Sequence, residues 1–183
     1  MRLLAVNQLR DIAIIIPVYE ASAELRALVD DLIAVGAQVI YVVDDGSSHS
    51  PAASVLDDLS NRIVQLCNHQ KNRGKGRALK TGLQRVIASG KANLKGVITL
   101  DADGQHLVAD VLKVAEAALK DPEKVVIGSR KFETTGIPLR SKFGNSLTKS
   151  IFKLATGKAV KDTQSGLRFL PIERLEMIYQ IPV

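Results

Sequence analysis

Short, unbroken apolar runs alternate along this chain with stretches of helical periodicity, and that alternation leaves it few architectures. IAIII (12–16) is apolar throughout and is predicted to be a buried strand that stops at Pro17. Leu25, Leu28, Val29, Leu32 and Ile33 then recur at helical spacing behind a candidate N-cap at Ser22. VIYVV (39–43) is the second predicted strand and runs into DDGSS. Ser50 and Pro51 suit the N-cap and first position of a helix reaching about Leu59. RIVQL (62–66) reads as a short strand, and NRGKGRALKTGLQRVIASG as a glycine loop entering a helix closed by Gly90. GVITL (96–100) and VVIGS (125–129) read as strands on either side of a helix from Val108 to Leu119. The loop-like RKFETTGIPLRSK precedes a predicted helix over 142–155, and LRFLP with a helix over 172–179 follows. The expected fold class is α/β: a mostly parallel open sheet flanked by helices on both faces.

In such sheets ligands bind beyond the carboxyl ends of the strands. Three predicted strands end in polar clusters, PVYE (17–20), DDGSS (44–48) and DADGQH (101–106), which this rule places on one rim. Asp101 and Asp103 are two residues apart, so both carboxylates share a face if the strand geometry persists. Unpaired carboxylates side by side repel, and a divalent cation removes that cost. An Asp-x-Asp pair with few other ligands suits Mg²⁺ or Mn²⁺, whose remaining positions are filled by water and substrate phosphates. Gln105 offers a further oxygen. An EF-hand is excluded, because twelve-residue loops begun at either aspartate would close on Leu112 or Val114. By spacing alone, cation–phosphate binding and a hydrogen-bonded turn are equally good readings.

NRGKGRALKTG matches neither phosphate-binding consensus: Leu79 stands where a third glycine would be, and no Gly-Lys-Ser/Thr opens the helix. Lys75 and Arg77 still suit a base or phosphate, or simply a solvated loop. Arg130, Lys131, Arg140 and Lys142 bracket FETTGIP, where a basic loop would close over a diphosphate or form a solvated face.

Composition narrows the partners. A formal net charge of +6 favours an anionic one, whereas 4% aromatic residues and no Trp argue against stacking on single-stranded nucleic acid. The single Cys67 excludes an internal disulfide and fits a reducing compartment. The N-terminus is too weakly apolar for a signal peptide, and IAIIIPV is far shorter than a membrane span, so a soluble chain is expected.

Taken in order, IIIPVYE, VVDDGS, NRGKGRALKTG, TLDADGQH, GSR, PLRSKFGN and DTQSGLRFLP resemble family 2 glycosyltransferases of the GT-A fold, from Ile12 to Pro171. The chain is most similar to the dolichyl-phosphate mannose synthase-like, polyprenyl-phosphate branch. DADGQH, PLRSKFGN and DTQSGLR resemble bacterial members often joined to a GtrA-type membrane domain. The resemblance implies that Pro17 and Tyr19 line the base and ribose, with Asp44 and Asp45 also on the nucleoside. Asp101 and the Ala102 backbone would contact the donor, and Asp103 with Gln105 would hold the metal. Arg130 and Arg140 would touch the diphosphate or the acceptor phosphate, and Asp162 to Arg168 would floor the sugar site. Where the family often has Asn-Glu after the tyrosine, this chain has Glu20 and Ala21, so Glu20 is the candidate for that nucleoside contact.

The implied reaction is inverting transfer of a sugar from a nucleoside-diphosphate sugar, of the UDP-glucose or GDP-mannose type, to undecaprenyl or dolichyl phosphate. Mg²⁺ or Mn²⁺ would be the cofactor, and no nucleic acid would be a partner. A hydroxyl acceptor would instead need a carboxylate base, for which Asp162 is the candidate. A nucleotidyltransferase or a non-catalytic nucleotide-sugar binding module are the other readings. Relatives in this branch continue past IPV with more catalytic-domain structure and then membrane segments. Residues 1–183 are therefore expected to form one C-terminally incomplete catalytic domain. It would work on the cytoplasmic face of the cell membrane, through a missing segment or a separate membrane protein.

Overall fold

β1 (Ile12–Val18) is buried at each of its seven positions, and the sheet is built outward from it. The computed structural model describes residues 8–48, 50–60, 63–90, 92–104, 107–128 and 166–182. After β1 come α1 (Ala23–Ala34), β2 (Ile40–Asp44), α2 (Ser50–Ser60), β3 (Val64–Asn68) and α3 (Lys75–Ala88). β4 (Gly96–Thr99), α4 (Val108–Lys120), β5 (Val126–Ile127), β6 (Arg168–Pro171), a 3₁₀ turn (Ile172–Arg174) and α5 (Leu175–Gln180) follow. The sheet order is β3-β2-β1-β4-β6-β5. β1 pairs in parallel with β2 and β4, β2 in parallel with β3, and β6 runs antiparallel to both β4 and β5. This is the mostly parallel sheet expected, with antiparallel β6 added between β4 and β5.

Burial alternates with the period of two that a strand imposes. Ile12, Ile14, Ile16 and Val18 join the core under α1, α2 and α4, whereas Ala13 and Ile15 join the core under α3 and α5. Each isoleucine so enclosed contributes about 1.5–3 kcal/mol relative to exposure. Helix α3 turns Ala78, Leu79, Gly82, Leu83 and Val86 inward. A Cβ at Gly82 would lie 2.5 Å from Ile15 Cγ2, so this glycine lets α3 lie close on β1.

The strand order reverses beside β1: β2 and β3 lie on one side and β4 on the other. A crevice at the carboxyl ends of β1 and β4 is the usual result. Pro17 contributes to it. It does not end the strand, as expected from sequence, but pairs with Val43 inside β1. Ile14 and Val18 bond toward β2, through Ile14 N–H to Val39 O (2.8 Å) and Asp45 N–H to Val18 O (2.7 Å). Ile15 O accepts from Leu100 N–H on the β4 side (3.2 Å), so Pro17 also faces β4, one step beyond the last pair, Ile15 with Thr99. A residue without an N–H is tolerated there, because the ladder has already ended.

Other boundaries move. β3 lies two residues later than RIVQL, β4 stops at Thr99, and β5 has only two residues. The expected helix over 142–155 lies outside the described residues. No helix among the described residues is long and apolar enough to cross a membrane.

Cys67 is 6% exposed, and burial pushes its thiol pKa up, against an opposing pull from Arg85. A thiol that is both enclosed and protonated is a poor nucleophile. Native protein at pH 8 should therefore react with a disulfide reagent on the order of a hundredfold slower than urea-unfolded protein. Equal rates would contradict the placement of β3.

Candidate active site

The crevice is lined by the ends of the parallel strands. At the end of β1, Tyr19 is 51% exposed and Glu20 takes a left-handed backbone, φ 57°. That geometry is uncommon for a side-chain-bearing residue and is held here by hydrogen bonds. Glu20 N–H donates to Ser47 Oγ (2.8 Å), and Glu20 Oε1 accepts from Ser48 N–H and Ser48 Oγ (both 3.2 Å). The turns after β1 and β2 are thus tied together.

Asp44 and Asp45, the expected nucleoside contacts, are 6% and 3% exposed. Asp44 accepts from Ser47 N–H (3.1 Å) and from the Ser47 hydroxyl, closing its own turn. Asp45 reaches under the glycine loop. Its Oδ1 accepts from Arg73 N–H (3.0 Å) and His69 Nδ1 (2.6 Å), and its Oδ2 from Gly74 N–H (2.7 Å). Three protein donors meet this carboxylate, so Asp45 organises the loop from the end of β2. Gly46 completes the contact: its φ is +79°, and a Cβ there would overlap the Lys71 backbone.

The loop ends at Lys75, the first residue of α3, whose ammonium bonds the Asp101 carboxylate. Lys75 is half exposed and Asp101 23% exposed, so the pair is open to exchange with a ligand's charge. On its inner side Asp101 meets Gly166, where a Cβ would overlap the carboxylate, and Arg168 lies nearby, 8% exposed. Burial lowers the Arg168 pKa and the charge of Asp101 opposes that shift. Thr99 Oγ1 donates to Gly166 O (3.0 Å), holding this segment to β4.

Ala102 is half-buried and Asp103 exposed. The strand geometry does not persist through them: β4 ends at Thr99, and residues 102–104 form a bend with Gly104 at φ +69°. Strand alternation therefore does not set both carboxylates on one face, although both follow β4 onto the same rim. Among the described residues no three His, Cys, Asp or Glu side chains converge as a ready-made metal cage. Gln105, Arg130, Arg140 and Asp162 lie outside the described residues. The structure thus brings Pro17, Tyr19, Glu20, Asp44, Asp45, Lys75, Asp101, Ala102 and Asp103 to one rim. Sequence reasoning missed His69 and Thr81, and reached Ser47 and Gly166 only as members of the DDGSS cluster and of the segment from Asp162 to Arg168. For His69 a signal existed, since it directly follows a strand that ends on the same rim.

The model of Glycosyl transferase family 2 matches residues 13–169. The UDP-N-acetylglucosamine–dolichyl-phosphate N-acetylglucosaminyltransferase of Methanococcus voltae is 31% identical over 184 residues, covering 91% of this chain and 72% of that protein. The dolichyl-phosphate beta-glucosyltransferase of Dictyostelium discoideum is 28% identical, covering 92% of this chain and 56% of that protein. Among solved structures, 4-diphosphocytidyl-2C-methyl-D-erythritol synthase superposes with a TM-score of 0.56 over 94% of this chain and 81% of its own, at 11% identity, a likeness of fold alone.

Asp45→Asn replaces one acceptor oxygen with a donor NH₂ facing donors. It should lower the unfolding free energy by about 1–3 kcal/mol in urea titration. A change within about 0.5 kcal/mol, ordinary for a surface site, would contradict the network.

Proposed function

This chain belongs to glycosyl transferase family 2, and we propose that it moves a sugar from a nucleoside-diphosphate sugar to a polyprenyl phosphate with inversion at the anomeric carbon. The observation that carries the reading is the Lys75–Asp101 pair beside exposed Asp103 and Tyr19, on the rim where β1 and β4 part. The names of two relatives, both dolichyl-phosphate transferases, support the acceptor class.

In this reading Tyr19 stacks on the base over buried Pro17, while Asp44 and Glu20 shape the nucleoside side through Ser47 and Ser48. Lys75 exchanges Asp101 for a donor phosphate, an exchange of one anion for another at a half-exposed ammonium. Ala102 offers its backbone to the donor. Arg130 and Arg140 receive the remaining phosphate charge, and the segment from Asp162 to Arg168 floors the sugar site.

The acid set fits a divalent cation of a particular kind. Mg²⁺ and Mn²⁺ bind through one or two carboxylates plus substrate phosphates, and do not need a cage made by the protein. Exposed Asp103, with Asp101 and Gln105, would supply such oxygens, and the bound ion would neutralise charge developing on the leaving diphosphate. A phosphate acceptor has a second pKa near ~6 and is largely ionised at neutral pH, so it requires positioning more than a base. The acceptor's lipid brings the reaction to a membrane surface, on the cytoplasmic side where nucleotide sugars are made.

Radiolabelled UDP-N-acetylglucosamine, UDP-glucose and GDP-mannose, each with Mn²⁺ or Mg²⁺ and undecaprenyl or dolichyl phosphate, test this directly. One donor should pass label into the organic phase, and Asp103→Ala should lower that rate by about a hundredfold or more. Release of pyrophosphate instead of a nucleoside diphosphate would identify a nucleotidyltransferase. Label in a water-soluble glycan would identify a hydroxyl acceptor, and an undiminished Asp103→Ala rate would remove the metal assignment.

A further inference from the structure

We propose that His69 and Thr81 act together as positioning residues for the donor site: a buried bridge that sets where the glycine loop, and hence Lys75, stands. The proposal rests on the donor-site reading above. His69 follows β3 directly, and its backbone N–H donates to Asp44 O (2.8 Å), which carries the β2–β3 pairing one residue further. Its ring is 6% exposed, with Nδ1 2.6 Å from Asp45 Oδ1 and Nε2 2.8 Å from Thr81 Oγ1. A carboxylate only accepts, so Nδ1 carries the hydrogen toward Asp45, and Nε2 shares a hydrogen bond with the Thr81 hydroxyl, a group that can donate or accept.

The bridge adds a polar tie at the rim between elements whose inner faces already pack together in the core. Asp45 belongs to the end of β2, Arg73 and Gly74 to the loop, and Thr81 to α3, six residues after Lys75. Gly74 has φ +90°, and nothing lies within 4 Å of where its Cβ would be, so packing does not hold this end of the loop. Hydrogen bonds to Asp45 do. His69 fixes Asp45 from one side and α3 from the other, and Lys75 at the start of α3 inherits that position opposite Asp101. Cutting the bridge at Thr81 leaves every core side chain in place but frees α3 and the loop from a common anchor.

Three variants are informative. Thr81→Val keeps the shape and removes the hydroxyl, Thr81→Ser restores a hydroxyl, and His69→Asn keeps a donor toward Asp45 but does not reach Thr81. Amide exchange at Arg73 and Gly74, measured by NMR without nucleotide, should quicken about tenfold in Thr81→Val and His69→Asn and return toward wild type in Thr81→Ser, the size expected for one lost hydrogen bond. Affinity for UDP or GDP with Mg²⁺, measured by calorimetry on folded protein, should fall about tenfold in the same two variants and recover in Thr81→Ser. Unchanged exchange in Thr81→Val overturns the proposal whatever the nucleotide does. Faster exchange with unchanged affinity also overturns it, because the bridge would then serve stability alone. Wild-type protein that binds neither UDP nor GDP overturns the donor-site reading instead, and the exchange rates alone then decide whether the bridge holds the loop.

Discussion

A carboxylate cannot stay buried at the end of a strand without donors, and Asp45 obtains its donors from the loop that follows the next strand. The rim depends on that requirement. To bring Arg73 and Gly74 to Asp45, the chain leaving β3 must turn back over β2, and α3 must begin there, with Lys75 toward β4. The acid that could be taken for a ligand contact thereby acts earlier in the causal chain: it sets the backbone that presents the cation. Asp44 does the same on a smaller scale, through Ser47 to the backbone of Glu20.

The crevice also depends on where pairing stops. Beyond Ile15 the β1–β4 ladder ends, and Pro17 offers no N–H with which to extend it. On the far side of β4, antiparallel β6 brings Gly166 and Arg168 to the carboxyl end of β4, because an antiparallel strand starts where a parallel neighbour finishes. Asp101 thus lies between a half-exposed lysine and a buried arginine. Only the lysine can readily change partners, which is why the exchange of charge in the proposed donor site is assigned to it.

What could be read in the sequence follows from the range of the forces involved. Periodicity located β1, α1, β2, α3 and α4, since each displays its buried face within its own residues. β3 was placed two residues early because its ends are set by pairing with β2, whose parallel register carries the strand through Cys67 to polar Asn68 opposite Asp44. The direction of β6 has no local signature; it is decided by pairing with β4, a strand some seventy residues earlier in the chain. For the site, strand ends identified most of the rim residues, because any parallel sheet gathers them. Their roles were less legible. Asp45 and His69 are 24 residues apart and meet only once β2 and β3 are paired. The carboxylates of Asp101 and Asp103 would share a face if the strand persisted, but β4 ends at Thr99 and the chain bends over residues 102–104.

The central claim is that the rim where β1 and β4 part holds the nucleotide. NMR chemical-shift mapping of ¹⁵N-labelled protein titrated with UDP and with GDP, each with Mg²⁺, tests it most directly. Saturable shifts are expected at Tyr19, Glu20, Asp101, Ala102 and Asp103, which follow adjoining strands, and at Lys75, where α3 begins on the same rim. Shifts confined to the surface groove lined by Val86, Ile87, Ile172 and Glu176, or none with either nucleotide, would contradict it.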